Sequence, residues 1–218
     1  DGVWDFCWVG DGVAARAVDP AALAYDELQA VPGVFDTEPR RRNARGVGVY
    51  RKTVQGTAGR MRLCIEGLGL YGRVFWDGAC LGECMVPFAE VDLEVDAAPG
   101  PHTLAILVDN RFSSETSPLA HPFDDFYCFG GIYGSISLQT LPEARMARVA
   151  VRTVDLREGR VRLDIGTEGV ADGPRRFHIA FDDAAGAEHL LPVRNGRTCI
   201  ELAVPYAKIW SPGAPHLH

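Results

Sequence analysis

The chain has 218 residues, 47% of them hydrophobic, enough for one large β domain or two smaller ones with a sizeable core. A formal net charge of -7 disfavours nucleic acid as a partner, because phosphate binding needs a basic face. No apolar run reaches the length of a membrane span, so no membrane partner is expected.

In chain order, residues 1–6 (DGVWDF) set Val3 beside Trp4 and Phe6 and read as an opening strand. Residues 20–29 (PAALAYDELQ) form the one convincing helical stretch, with Pro20 at a favourable first position and the turn signal Val31-Pro32-Gly33 after it. The basic run Arg40-Arg41-Arg42 lies among Pro39, Asn43 and Gly46 and reads as a solvated loop. From Gly46 onward the pattern is of strands. Residues 47–54 and 61–68 alternate apolar and polar side chains. Asp77-Gly78 stands between Val74-Phe75-Trp76 and Ala79-Cys80-Leu81, a strong hairpin signal because both turn residues tolerate positive φ. Residues 91–95 and 102–108 follow, with Gly and Pro turns between. Many short strands at such spacing predict an all-β sandwich or jelly roll.

Residues 123–137 (FDDFYCFGGIYGSIS) organise the first part of the chain. Gly130-Gly131 permits a turn that residues with a Cβ resist, and the polar residues ahead of it fall on an irregular rim. Leu141-Pro142-Glu143 marks a boundary, so that residues 1–141 and 142–218 are read as two domains. The second shows five strands in 77 residues. A complete immunoglobulin-like sandwich wants about seven strands and ~100 residues, so this one is read as incomplete, with Trp210 exposed and association between copies favoured.

No catalytic group can be assigned. Asp124 and Asp125 are neighbours, and neighbours on an extended chain point to opposite sides, whereas a retaining glycosidase holds two carboxyls about 5–5.5 Å apart on facing elements. Asp182-Asp183 reads as turn chemistry. There is no G-x-S-x-G elbow, and the six histidines are scattered. His121 shares a loop with Asp124 and Asp125, which reads as a polar loop ahead of a metal cluster. The run from Gly67 to Gly72 mimics a nucleotide fingerprint but opens no helix. None of the six cysteines has zinc spacing, and thiols inside apolar runs behave as small hydrophobes, so no metal, no cofactor and a reducing cytoplasm are expected. What remains is a set of aromatic and planar polar residues, Tyr71, Trp76, Asp109, Asn110, Asp125, Phe126 and Tyr127. Such groups suit sugar rings, whose faces stack and whose hydroxyls take paired hydrogen bonds. Trp76 and Phe126 fit sandwich core equally well, and the sequence leaves the choice open.

Collinear segments resemble the N-terminal region of glycoside hydrolase family 2, the β-galactosidase, β-glucuronidase and β-mannosidase group. They include residues 1–6, Val31-Pro32-Gly33, Asn43, Tyr50-Arg51-Lys52, residues 69–74, Val108-Asp109-Asn110, Asp125-Phe126-Tyr127 with Gly130-Gly131-Ile132, and residues 210–217. The resemblance implies a galactose-binding-like jelly roll, an immunoglobulin-like sandwich lacking its last strands, and a separate (β/α)8 barrel that holds the catalytic glutamates. By it Asp125 contacts the sugar hydroxyls, Phe126 and Tyr127 shape the pocket wall, and Asn43 comes from a second loop. The family's Gly-Gly-Tyr turn before Pro-Phe is here Glu83-Cys84-Met85-Val86, and its Trp beside Tyr50 is Val49. The expected role is a non-catalytic front end that scaffolds the barrel and lends it sugar contacts. A β-galactoside is the first expectation for the substrate and a β-glucuronide the second. A stand-alone carbohydrate-binding module and a purely structural or dimerising scaffold are the competing readings, and a homo-oligomer is compatible with all three.

Overall fold

The computed structural model describes residues 1–113, 116, 127–182, 184–204 and 206–217. They fall into two compact units, Asp1–Leu141 and Pro142–His218. In the first, strands β1 (Gly2–Gly10), β2 (Glu27–Val31), β3 (Gly33–Val34), β4 (Val47–Gly56), β5 (Gly59–Ile65) and β6 (Tyr71–Trp76) are followed by β7 (Ala79–Cys84), β8 (Val91–Ala97), β9 (Gly100–Asp109), β10 (Gly131–Ile132) and β11 (Ile136–Thr140). A six-stranded antiparallel sheet runs in the order β2-β1-β4-β9-β6-β7, opposite a three-stranded sheet β11-β5-β8. A small bridge, β10-β3, stands apart.

The alternation of side chains explains the core. Trp4, Phe6, Tyr50, Val74, Ile106 and Val108 point from the large sheet towards Leu63, Ile65 and Val91 of the small one. Full burial of side chains of this size contributes about 1.5–3 kcal/mol each. The intervening residues Val47, Val49, Tyr71, Ala105 and Leu107 point the other way and are also buried, under Ala15, Val18, Leu23 and Tyr25. β4 and β9 are thus covered on both faces, which is why residues 104–108 read as one apolar run.

That second layer also overturns the expected helix over residues 20–29. Only Pro20–Ala22 turns, as a single 3₁₀ turn capped by Asp19, whose side chain accepts from Ala21 N at 3.0 Å. The chain then runs extended across the sheet, and Glu27–Val31 joins it as edge strand β2, with Gln29 opposite Trp4. Burial of Leu23 and Tyr25 on the sheet outweighs the weak preference of so short a segment for helix. The Asp77-Gly78 turn forms as its residues dictate: φ is 48° and 83°, and Trp76 pairs Ala79.

Arg41 is not solvated. It is 6% exposed, bonds both Glu27 and Glu38, and its guanidinium stands 5.2 Å from the Phe6 ring centre. After the Gly130-Gly131 turn the chain is divided into β10 and β11 by Tyr133–Ser135, where Gly134 sits against the backbone of Gly67.

The second unit has five strands among its described residues: β12 (Arg145–Asp155), β13 (Arg160–Glu168), β14 (Gly173–Ile179), β15 (Ala187–Val193) and β16 (Arg197–Ala203). Sheets β12-β13-β16 and β14-β15 enclose Leu163, Ile165, Phe177, Leu191 and Val193. Trp210 is 55% exposed. The cysteines described are all free thiols, and no described helix is long and apolar enough to cross a membrane.

Candidate functional site

The first unit gathers its polar residues around one buried carboxylate. β3 and β10 pair through Gly131 opposite Val34, and Phe35 N donates to Gly130 O at 2.8 Å, which ties residues 33–36 to residues 127–132. The contact is close enough to require glycine. A Cβ on Gly130 would lie 2.3 Å from Phe35 Cζ, and one on Gly131, where φ is 149°, would lie 2.4 Å from Gly33 O.

Asp36 follows directly and is 1% exposed. Its Oδ2 accepts from Asn110 Nδ2, from the Tyr127 hydroxyl and from Gly130 N, each at 3.0 Å. Asn110, wholly buried, also donates to Ala44 O at 3.1 Å and accepts from Gly46 N at 2.9 Å. Arg45 donates to Asn110 O at 3.0 Å and Cys128 O at 2.5 Å, and its guanidinium lies 4.4 Å from the Tyr127 ring centre. Burial first, then the hydrogen bond to Asp36, pushes the Tyr127 phenol up, so it stays a donor at neutral pH. Burial likewise pushes up the Cys128 thiol, which leaves it protonated and unreactive.

Of the four sugar-contacting residues expected from sequence, two are described and both are tied to Asp36. Tyr127 reaches its carboxylate, and Asn43, in a left-handed conformation with φ 63°, donates its N–H to the Asp36 carbonyl at 3.0 Å. Asp125 and Phe126 lie outside the described residues, as do Asp124, His121, Asp183 and His218. Tyr127 and Phe129 stand partly exposed, with ring centres 4.7 Å apart. Beside them a cavity of 480 Å³ is lined by Asp36, Thr37, Pro39, Arg42, Asn43 and Phe129. The Asp36 Oδ1 atom is buried and has no hydrogen-bond partner among the described residues.

Other members of the expected rim belong elsewhere. Trp76 is 5% exposed and Tyr71 0%, so both are core. Asp109 is held by Arg111, whose Nη2 donates to it at 2.8 Å. Sequence reading missed Asp36 and Arg45, two of six charged residues in the segment 36–45, where neither differs in type from its charged neighbours. The one signal was their position on either side of Asn43. No group of three or more metal-ligating side chains occurs among the described residues.

No protein-family model matches the chain, and no curated protein matches it. Solved structures do. A β-glucuronidase of Bifidobacterium dentium complexed with coumarin-3-O-glucuronide is 24% identical over 98% of this chain and 43% of its own, with a TM-score of 0.75. A GH2 β-galacturonidase from Eisenbergiella tayi bound to glycerol is 22% identical over 98% of this chain and 37% of its own, TM-score 0.74. The β-glucuronidase of Faecalibacterium prausnitzii is 20% identical over 99% and 41%, TM-score 0.75. The fold is that of family 2 glycoside hydrolases. The chain spans about two fifths of the length of these three structures. Their names point to uronides, and none of the three is a β-galactosidase.

Proposed function

We propose that this chain is the front portion of a family 2 glycoside hydrolase and takes no part in bond cleavage itself. Its first unit is a sugar-binding jelly roll and its second an immunoglobulin-like domain. The catalytic carboxylates come from a (β/α)8 barrel of the same protein. The observation that carries the reading is the likeness over 98% of the chain to enzymes more than twice its length. In this reading Asp36 and Arg45 clamp residues 127–130, which follow Asp125 and Phe126 in the sequence. Asp125 accepts hydrogen bonds from substrate hydroxyls, Phe126 and Tyr127 wall the subsite, and Asn43 borders it.

The substrate class follows the names of the neighbours. A β-uronide, either glucuronide or galacturonide, replaces the β-galactoside first expected. Two sets of assays test this. The 218-residue chain is expected to release no nitrophenol from p-nitrophenyl β-glucuronide, β-galacturonide or β-galactoside. A protein joining it to its natural C-terminal continuation is expected to cleave one of the first two, and Asp125→Ala in that protein to reduce kcat/KM about ten- to hundredfold. Turnover by the chain alone would refute the division of labour. Preference of the longer protein for the galactoside would refute the uronide assignment and leave the family reading standing.

A further inference from the structure

The outer face of the sheet β12-β13-β16 carries charge in a pattern that its own carboxylates do not balance. Register places Arg152, Arg162 and Glu201 in one cross-strand row, Ala150, Asp164 and Cys199 in the next, and Arg148, Gly166 and Arg197 in the third. Leu163 and Ile165 alternate with these residues and point into the core, so the three rows share the solvent side. The small residues Ala150, Gly166 and Cys199 leave the middle of the face low. The result is a groove of 880 Å³ rimmed by Arg148, Arg152, Arg162, Arg194 and Arg197, with Asp164 inside it.

Two of the arginines are satisfied locally. Arg152 bonds Asp164 Oδ2, and Arg162 Nε donates to Asp164 Oδ1 at 2.9 Å. Arg148, Arg194 and Arg197 have no carboxylate partner among the described residues, in a chain with 29 acids against 22 bases. Arg194 and Arg197 are moreover forced together. They are direct cross-strand partners, bonded backbone to backbone at 2.9 and 3.0 Å around the turn Asn195-Gly196. The two turn residues have φ of 49° and 68°. Like charges directly opposite on a hairpin destabilise it. A ligand that supplies negative charge between them removes that cost.

We propose that this groove binds an oligosaccharide bearing carboxylates. Guanidinium forks match carboxylates in paired hydrogen bonds, and Arg148 and Arg197 stand on the outer two of three strands, about 10 Å apart by strand spacing. Each Asp164 oxygen bonds one guanidinium and retains capacity to accept from a hydroxyl, a donor that sugars have and phosphodiesters lack. No aromatic side chain among the described residues lines the groove, so they offer no platform for a nucleobase. The inference rests on the groove alone, and its failure would leave the proposed hydrolase reading intact.

Trigalacturonic acid is the probe, titrated calorimetrically into the chain at low salt, with maltotriose, inorganic phosphate and a short DNA duplex as comparisons. Cys199 reports position. In a Cys80→Ser background, which removes the other exposed thiol, its alkylation by iodoacetamide is followed with and without ligand. Trigalacturonic acid is expected to bind and to slow Cys199 labelling, whereas maltotriose does neither. Arg148→Ala, and separately the double change Arg194→Ala with Arg197→Ala, are each expected to weaken binding about tenfold or more. Lysine at the same positions restores charge without the fork and is expected to recover only part of that loss. These side chains are exposed, and an unchanged far-UV spectrum verifies the fold of each variant. Unprotected Cys199, or equal affinity in the alanine variants, would overturn the site. Equal protection by phosphate or DNA would overturn its assignment to an acidic sugar.

Discussion

Replacing Asp36 by alanine probes the centre of the first unit most directly. The change strands the Gly130 N–H and one of the two Asn110 Nδ2 hydrogens, both buried and both pointing at Asp36 Oδ2, while the other Nδ2 hydrogen stays on Ala44 O and the partly exposed Tyr127 hydroxyl can turn to water. Each buried donor left alone costs about 1–3 kcal/mol, and removing a buried charge returns part of that, so a net loss of about 2–4 kcal/mol is expected. Asp36→Asn keeps the shape and one acceptor oxygen and should lose about half as much. Urea unfolding followed by tryptophan fluorescence measures both. Trp4, Trp8 and Trp76 lie in the first unit and Trp210 in the second, so a Trp210→Phe background makes the signal report the first unit alone. A midpoint shift without a change in slope is the expected result. A loss under about 1 kcal/mol for Asp36→Ala would show that the three-donor cluster does not hold the loop.

The remaining predictions concern neighbouring contacts. Gly130→Ala drives a methyl to 2.3 Å from Phe35 Cζ and should cost about 1–3 kcal/mol in the same assay, with slope unchanged. Arg41→Ala leaves Glu27 and Glu38 without their shared guanidinium. Since both glutamates reach solvent, about 2–3 kcal/mol is expected rather than the full value for a buried pair. His102 is raised above its usual pKa by hydrogen bonds to the Asp77 carboxylate at 2.6 Å and to Ala98 O, and Asp77 is lowered by the same contact. The stability His102 adds is therefore full below its unfolded value of about 6.5 and fades as pH rises past its folded one. That added by Asp77 fades as pH falls through its lowered value. An NMR titration of the imidazole checks this, and Asp77→Asn should move the His102 midpoint down.

Local pattern and long-range packing divided the fold between them. Two-residue alternation in residues 61–65, and Asp77-Gly78 with its positive φ angles, act over a few bonds, and both are legible without a structure. The site was half legible. Tyr127 and Asn43 stand out by residue type and by resemblance, but Asp36 does not, because its partners Asn110 and Gly130 lie 74 and 94 positions away. Trp76 and Tyr71 look like stacking residues until the sheet order buries one on each face of β6.

By itself the sequence determined the class of structure: strand periodicity, turn residues and the absence of any long helical pattern leave an antiparallel β protein. Only tertiary structure decided what charged and amphipathic residues do there. Residues 20–29 abandon helix because a sheet face needs covering, Arg41 is buried because two glutamates converge on it, and Asp36 becomes a clamp because distant donors meet at one oxygen. Hydrophobic periodicity is a property of neighbours along the chain. The environment of a charge is set by residues that are neighbours only in space.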